Sequence, residues 1–122
     1  MVKKFSEEQG QALVRLARKT IENALGLSGE DGELPGNPLD QEAMREKRGV
    51  FVTLTRHGQL RGCIGFLEAR ETVVDAVRHN AINAAFSDPR FPPLSDFEVA
   101  DLDIEVSILT EPAALEYDDS FD

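Results

Sequence analysis

The sequence predicts an α/β (α+β) domain, a mixed β-sheet made from a β-hairpin and a βαβ crossover with helices packed on one face. Three observations carry this expectation. Two stretches, 13–25 and 73–85, place apolar residues at helical spacing. Between them lie two runs, 49–55 and 59–66, rich in β-branched and aromatic residues and separated by Arg56-His57-Gly58. A later run, 101–109, alternates strictly, with Leu102, Ile104, Val106 and Ile108 on one side and Asp103, Glu105 and Ser107 on the other.

The first helix has a legible start. Ser6-Glu7-Glu8-Gln9 is a capping-box pattern, in which the serine hydroxyl accepts from an early helix N–H and the glutamine reaches back to the cap. Leu13, Leu16, Ala17, Ile21, Ala24 and Leu25 form the core stripe, and Gly26 can close the helix in a left-handed conformation. Residues 26–48 hold Gly29, Gly32, Pro35, Gly36 and Pro38 with no sustained period, so a long loop is expected, with a short helical turn within 41–47.

The hairpin is argued from its faces. A three-residue loop with Gly58 left-handed pairs Leu54 with Leu60, Val52 with Gly62 and Val50 with Ile64, which makes one face wholly apolar. A two-residue His57-Gly58 loop would put Arg61 and Cys63 among the valines, so the three-residue loop is expected. Thr72 caps the second helix, whose stripe is Val73, Val74, Val77, Ala81, Ala84 and Ala85. Asp88-Pro89-Arg90-Phe91-Pro92-Pro93-Leu94 follows, a loop whose three prolines predict stiffness and an anchored Arg90. The strand at 101–109 is expected to return beside 59–66 through a right-handed crossover. Residues 113–122 read as an acidic, frayed end of a single domain spanning 1–122.

The chain has 122 residues with 13 Lys and Arg against 23 Asp and Glu, a formal charge of -10. From Ser95 onward there are ten acids and no Lys or Arg. Such a surface repels phosphate backbones, so nucleic acid is not an expected partner. One cysteine excludes an intramolecular disulfide framework and points to a reducing, cytoplasmic setting. No apolar run approaches the ~18 residues that span a bilayer, so no membrane association is expected. One Cys and two His on separate elements give no metal spacing, and the phosphate-cradling, dinucleotide and nucleophile-elbow motifs are all missing from the sequence.

Alternation places Arg61 and Cys63 on one sheet face, and the strand at 101–109 adds Glu105 if the strands are adjacent. Gly62 and Gly65 flank the thiol, where glycine can mark close approach of a ligand or another backbone. Two readings remain open. In one, Arg61 favours the thiolate of a reactive Cys63; in the other, Cys63 is a small core residue and Arg61 pairs with Glu105. His57 is read as a hairpin-tip residue and His79 as a solvated helix residue.

Gly49 to Leu54, the block Leu60-Arg61-Gly62-Cys63-Ile64-Gly65, the segment Ala84 to Leu94, and Ile104-Glu105-Val106-Ser107 together resemble the AMMECR family, also called AmmeMemoRadiSam system protein A. The order and spacing of the blocks agree, from the first helix to about Pro112. The family's domain normally continues further, through more strands and a helical segment, so the match is to a C-terminally short version. The resemblance implies an α/β fold and, in microbes, association with a Memo-like protein and a radical S-adenosylmethionine protein. It settles neither a reaction nor a cofactor, which stays unknown. Residue by residue it points to Arg61, Gly62, Cys63 and Gly65, with Asp88, Arg90 and Phe91 as binding residues. The functional expectation is a component of a multiprotein redox or modification system, with a ligand or substrate groove at Leu60–Gly65. The alternative is a thiol enzyme with Cys63 as nucleophile, assisted by Glu105. Unpaired sheet edges add homo-oligomer formation as an expectation.

Overall fold

A computed structural model describes residues 6–27, 42–109 and 114–118. Helix α1, Glu7–Ala24, starts at the expected capping box: Gln9 N–H donates to Ser6 Oγ at 3.0 Å and Ser6 N–H donates to the Gln9 side chain at 2.8 Å. Gly26, with φ of 75°, follows its end. Leu13, Val14, Ala17 and Ile21 are buried, whereas Ala24 lies exposed. Of the long 26–48 segment, residues 28–41 lie outside the described residues. A short 3-10 helix at Glu42–Arg45 buries Met44 completely. Helix α2, Val73–Phe86, is capped by Thr72, whose Oγ1 accepts from Asp75 N–H at 3.2 Å.

The strands are β1, Val50–Arg56, β2, Gln59–Phe66, β3, Leu102–Leu109, and β4, Ala114–Asp118. They form one sheet in the order β2-β1-β3-β4, with every neighbouring pair antiparallel. Both helices pack on the face formed by Val50, Val52 and Leu54 of β1 and Ile104, Val106 and Ile108 of β3, all at most 1% exposed. Each such side chain contributes roughly 1.5–3 kcal/mol of burial, which makes this layer the main source of cohesion. The domain is thus a mixed α+β fold with helices on one face.

Three details differ from the sequence expectation. First, β3 pairs with β1 instead of β2. The crossover through α2 therefore joins two parallel strands with β1 lodged between them, so no parallel neighbours form. Alternation specifies which face of β3 is buried but not which edge it joins.

Second, the hairpin closes by a two-residue turn, His57-Gly58, with Arg56 opposite Gln59. Both turn residues have positive φ, 53° and 77°, as a type I′ turn requires. The ladder then shifts between Leu54 and Thr55: Thr55 faces Leu60 while Leu54 faces Gly62, leaving Arg61 as a bulge. Turn plus bulge inserts as many residues as the expected three-residue loop. The apolar face is preserved with new partners, Val52 opposite Ile64 and Leu54 opposite Gly62, and Leu54 does not meet Leu60.

Third, 114–118, read as part of a frayed tail, forms β4 against β3. Tyr117 is buried against α1, where a Cβ on Gly10 would fall 2.1 Å from its ring. The helical glycine makes room for the tyrosine, and that contact anchors a strand whose visible composition is acidic.

Candidate functional site

The Leu60–Gly65 block occupies an end strand of the described sheet, and most of its residues are accounted for by packing. At Gly62 a Cβ would lie 2.1 Å from the Ala84 carbonyl oxygen, so the end of α2 rests directly on the β2 backbone. At Gly65 a Cβ would lie 2.4 Å from the Val50 carbonyl oxygen and 2.5 Å from the Phe51 ring. Close approach is indeed why both positions are glycine, but what approaches is the protein itself.

Arg61 is similarly engaged. The bulge removes it from regular alternation, and its side chain is buried against Glu98 in the 3-10 helix Asp96–Asp101. Nε donates to Oε2 at 2.9 Å and Nη2 to Oε1 at 3.0 Å, a two-pronged pair. The Arg61 hydrogen bonds are the chief reason the Glu98 carboxyl is held down at about 2, against the opposing effect of burial. Arg56 adds a longer contact to the same carboxylate, 3.4 Å. Arg61 therefore pairs with Glu98, and Glu105 has no part in that pair. Glu98 was missed in the sequence; the Ser95-x-x-Glu98 spacing, a capping-box pattern, was the available signal. Glu98 also accepts from Ser95 N–H at 2.8 Å.

Cys63 lies on the open face, away from the helices, half-buried. The strand registers line up Cys63, Thr53, Glu105 and Asp118 in one row across β2, β1, β3 and β4. Thr53 Oγ1 is 3.2 Å from Cys63 Sγ, close enough for either to donate. Glu105 shares the face, as expected, but Thr53 separates it from the thiol by two strand spacings, roughly 10 Å. Burial, then Glu116 and Asp118, raise the Glu105 pKa above the ordinary carboxylate value. A shallow depression lined by Thr53, Thr55, Asp103, Ile104, Glu105 and Asp118 lies over β1, β3 and β4 instead of over Cys63.

The backbone of Cys63 is held by the Asp88–Leu94 loop. Its N–H donates to Asp88 Oδ2 at 3.0 Å, and its carbonyl accepts from Arg90 Nη2 at 3.3 Å. Arg90 in turn grips Asp88 through Nε to Oδ1, 3.0 Å, and Nη2 to Oδ2, 2.7 Å. The anchored Arg90 expected from the prolines is present, and Leu94 N–H ties the end of the loop to the Ala85 carbonyl at 2.8 Å. Hydrogen bonds from Arg90, with help from the Cys63 N–H, keep the Asp88 carboxyl far below the usual carboxylate range, and Asp88 raises the Arg90 pKa in return. The Phe91 ring lies near two guanidiniums, its centroid 5.9 Å from Arg61 Cζ and 5.5 Å from Arg90 Cζ.

The two histidines are engaged elsewhere, His57 3.5 Å from Asp101 and His79 on Glu71. Among the described residues no group of three or more His, Cys, Asp and Glu could hold a metal ion. No described helix is long and apolar enough to cross a membrane.

Sequence comparison gives this arrangement a family. The AMMECR1 family model matches residues 14–122, past the point where the motif resemblance stops. The chain belongs to the AMMECR1 family. A protein of Methanothermobacter thermautotrophicus is 45% identical over 118 residues, covering 97% of this chain and 60% of the relative. Protein MK0488 of Methanopyrus kandleri is 46% identical over 121 residues, covering 97% of the chain and 56% of its own length. The crystal structure of the uncharacterized protein PH0010 from Pyrococcus horikoshii resembles this AMMECR1 fold with a TM-score of 0.74 at 42% identity, covering 87% of this chain and 53% of that one. The chain thus spans little more than half the length of these relatives.

Proposed function

We propose that this AMMECR1 domain is a binding component of a multiprotein redox or modification system, and that it holds a ligand or substrate group at the face formed by Cys63, Arg90 and Phe91. The observation that carries this reading is the Arg90 guanidinium. Its side chain is 56% exposed, yet it is oriented by both oxygens of a carboxylate that is only 1% exposed. A donor fixed before binding loses little conformational entropy when a ligand arrives, which is the economical way to build a recognition group. The proline-stiffened loop and the Phe91 ring beside the guanidinium support the same reading.

The thiol-enzyme reading has less support in the geometry. A cysteine nucleophile works with a base in hydrogen-bond reach. Here the partner of Sγ is the Thr53 hydroxyl, and Glu105 stands beyond it. The partners we propose, from the family resemblance, are Memo-like and radical S-adenosylmethionine proteins in the cytoplasm. Affinity purification of the tagged full-length protein from its native host tests this. Recovery of either partner by the wild type, with at least a tenfold loss for Arg90→Ala, is the expected result. Recovery of neither overturns the reading.

A further inference from the structure

Within the described sheet β2 is an end strand, with β1 on one side only. In an antiparallel ladder the N–H and C=O of alternate residues point away from the neighbouring strand. Cys63 is such a residue: its N–H and its carbonyl are both bonded to the Asp88–Leu94 loop, not to Thr53 opposite. The two side chains that meet them are an acceptor, Asp88 Oδ2, and a donor, Arg90 Nη2, joined to each other at 2.7 Å. An adjoining strand would present the same complement, one carbonyl and one N–H. Exposed edges of this kind template strand addition, and proteins block them with charges placed on the edge.

We propose that the Asp88–Arg90 ion pair is a lock on the outer edge of β2, occupying the backbone groups of Cys63 that would otherwise pair with a strand from a second copy of the chain. The two halves of the lock are unequal. Asp88 is sunk beside the strand, whereas Arg90 reaches the Cys63 carbonyl at 3.3 Å from an exposed position. Loss of Arg90 frees the carbonyl alone, and loss of Asp88 frees both groups because Arg90 then has no anchor. This inference is independent of any ligand at the site.

The test is sedimentation velocity on the wild type, Asp88→Ala and Arg90→Ala over a wide concentration range, with far-UV circular dichroism to establish folding. Asp88→Ala is expected to associate at a concentration roughly tenfold below that of the wild type. Hydrogen exchange should show the Cys63 amide exposed in its monomer and protected in its dimer. A folded Asp88→Ala that associates no more than the wild type overturns the proposal. If Asp88→Ala does not fold, Arg90→Ala decides: a smaller shift in the same direction supports the lock, and unchanged association refutes it.

Discussion

Replacing Gly62 with alanine asks whether the Leu60–Gly65 block is first of all a packing device. The new Cβ would stand 2.1 Å from the Ala84 carbonyl oxygen and 3.6 Å from Leu54 Cδ1. The second contact is ordinary, and the first is about 1 Å shorter than a Cβ can accept. Because the obstacle is backbone on both sides, no rotamer change relieves it. The end of α2 has to retreat by about 1 Å, and Ala81, Ala84 and Ala85 lose contact with the sheet beneath them. Overpacking of this kind typically costs 1–3 kcal/mol, and a backbone-to-backbone clash belongs at about 3 kcal/mol. With an unfolding entropy of about 2.1 cal/mol/K per residue, that corresponds to a fall in Tm of about 12 °C for this chain. Equilibrium urea denaturation, with Gly58→Ala as the comparison, measures it. Gly58 has φ of 77° and open space around it, so its alanine variant should cost about 1 kcal/mol from backbone conformation alone. A Gly62→Ala protein as stable as Gly58→Ala would refute the claim that α2 rests on this strand.

Three further outcomes follow from the charges and the thiol. Glu98→Ala leaves Arg61 buried without its carboxylate and should lower stability by about 3 kcal/mol at neutral pH. Because the folded-state pKa of Glu98 is depressed from 4.5 to about 2, the pair's contribution is complete above pH 4.5 and is lost as pH falls toward 2, so the wild type and Glu98→Ala should converge in acid denaturation curves. Glu105 has the opposite sign. Its pKa is raised above 4.5, so its contribution is greatest at low pH and is lost as pH rises through the folded value; Glu105→Gln should be more stable than the wild type at pH 7, with the gain disappearing below the ordinary carboxyl value of 4.5. Cys63→Ala should cost about 1 kcal/mol or less because the residue is only half-buried, and Cys63→Ser should be no worse, since the Thr53 hydroxyl 3.2 Å away offers a hydroxyl a partner. Thermal unfolding of both variants checks this.

Much of the fold was legible because its signals are local. The helix caps at Ser6 and Thr72 and the alternation of β3 depend on near neighbours, and Ser6, Thr72 and Ile104 each do what their surroundings in the chain imply. The hairpin shows the limit. A two-residue turn followed by a bulge has the same parity as a three-residue loop, so the faces were readable while the partners of Leu54 and Gly62 were not. The position of β3 beside β1 depends on how the sheet is assembled, which a single strand's pattern does not encode. β4 was hidden because only Tyr117, between Glu116 and Asp118, signals a buried position in its last three residues, and the space for its ring is made by Gly10, 107 residues earlier.

At the candidate site, the sequence brought the block and the loop together, as the structure does, but not their division of labour. Asp88, Arg90 and Cys63 come together as expected. Arg61 is turned away from the open face by the bulge and meets Glu98, 37 residues on, a partner that depends on tertiary packing. Gly62 and Gly65 are glycines because of Ala84, Val50 and Phe51. What the packing of the domain leaves unaccounted for is smaller than the motif: a half-buried thiol, an anchored guanidinium and the ring beside it.

The most direct test of that division is the dissociation constant of the purified full-length protein for a captured Memo-like or radical S-adenosylmethionine partner, measured by titration calorimetry for the wild type, Cys63→Ala and Arg90→Ala. A face that recognises through its guanidinium predicts a change of less than about threefold for Cys63→Ala and a weakening of at least about tenfold for Arg90→Ala, which is ~1.4 kcal/mol. Unchanged binding by Arg90→Ala, or binding abolished by Cys63→Ala alone, would contradict it.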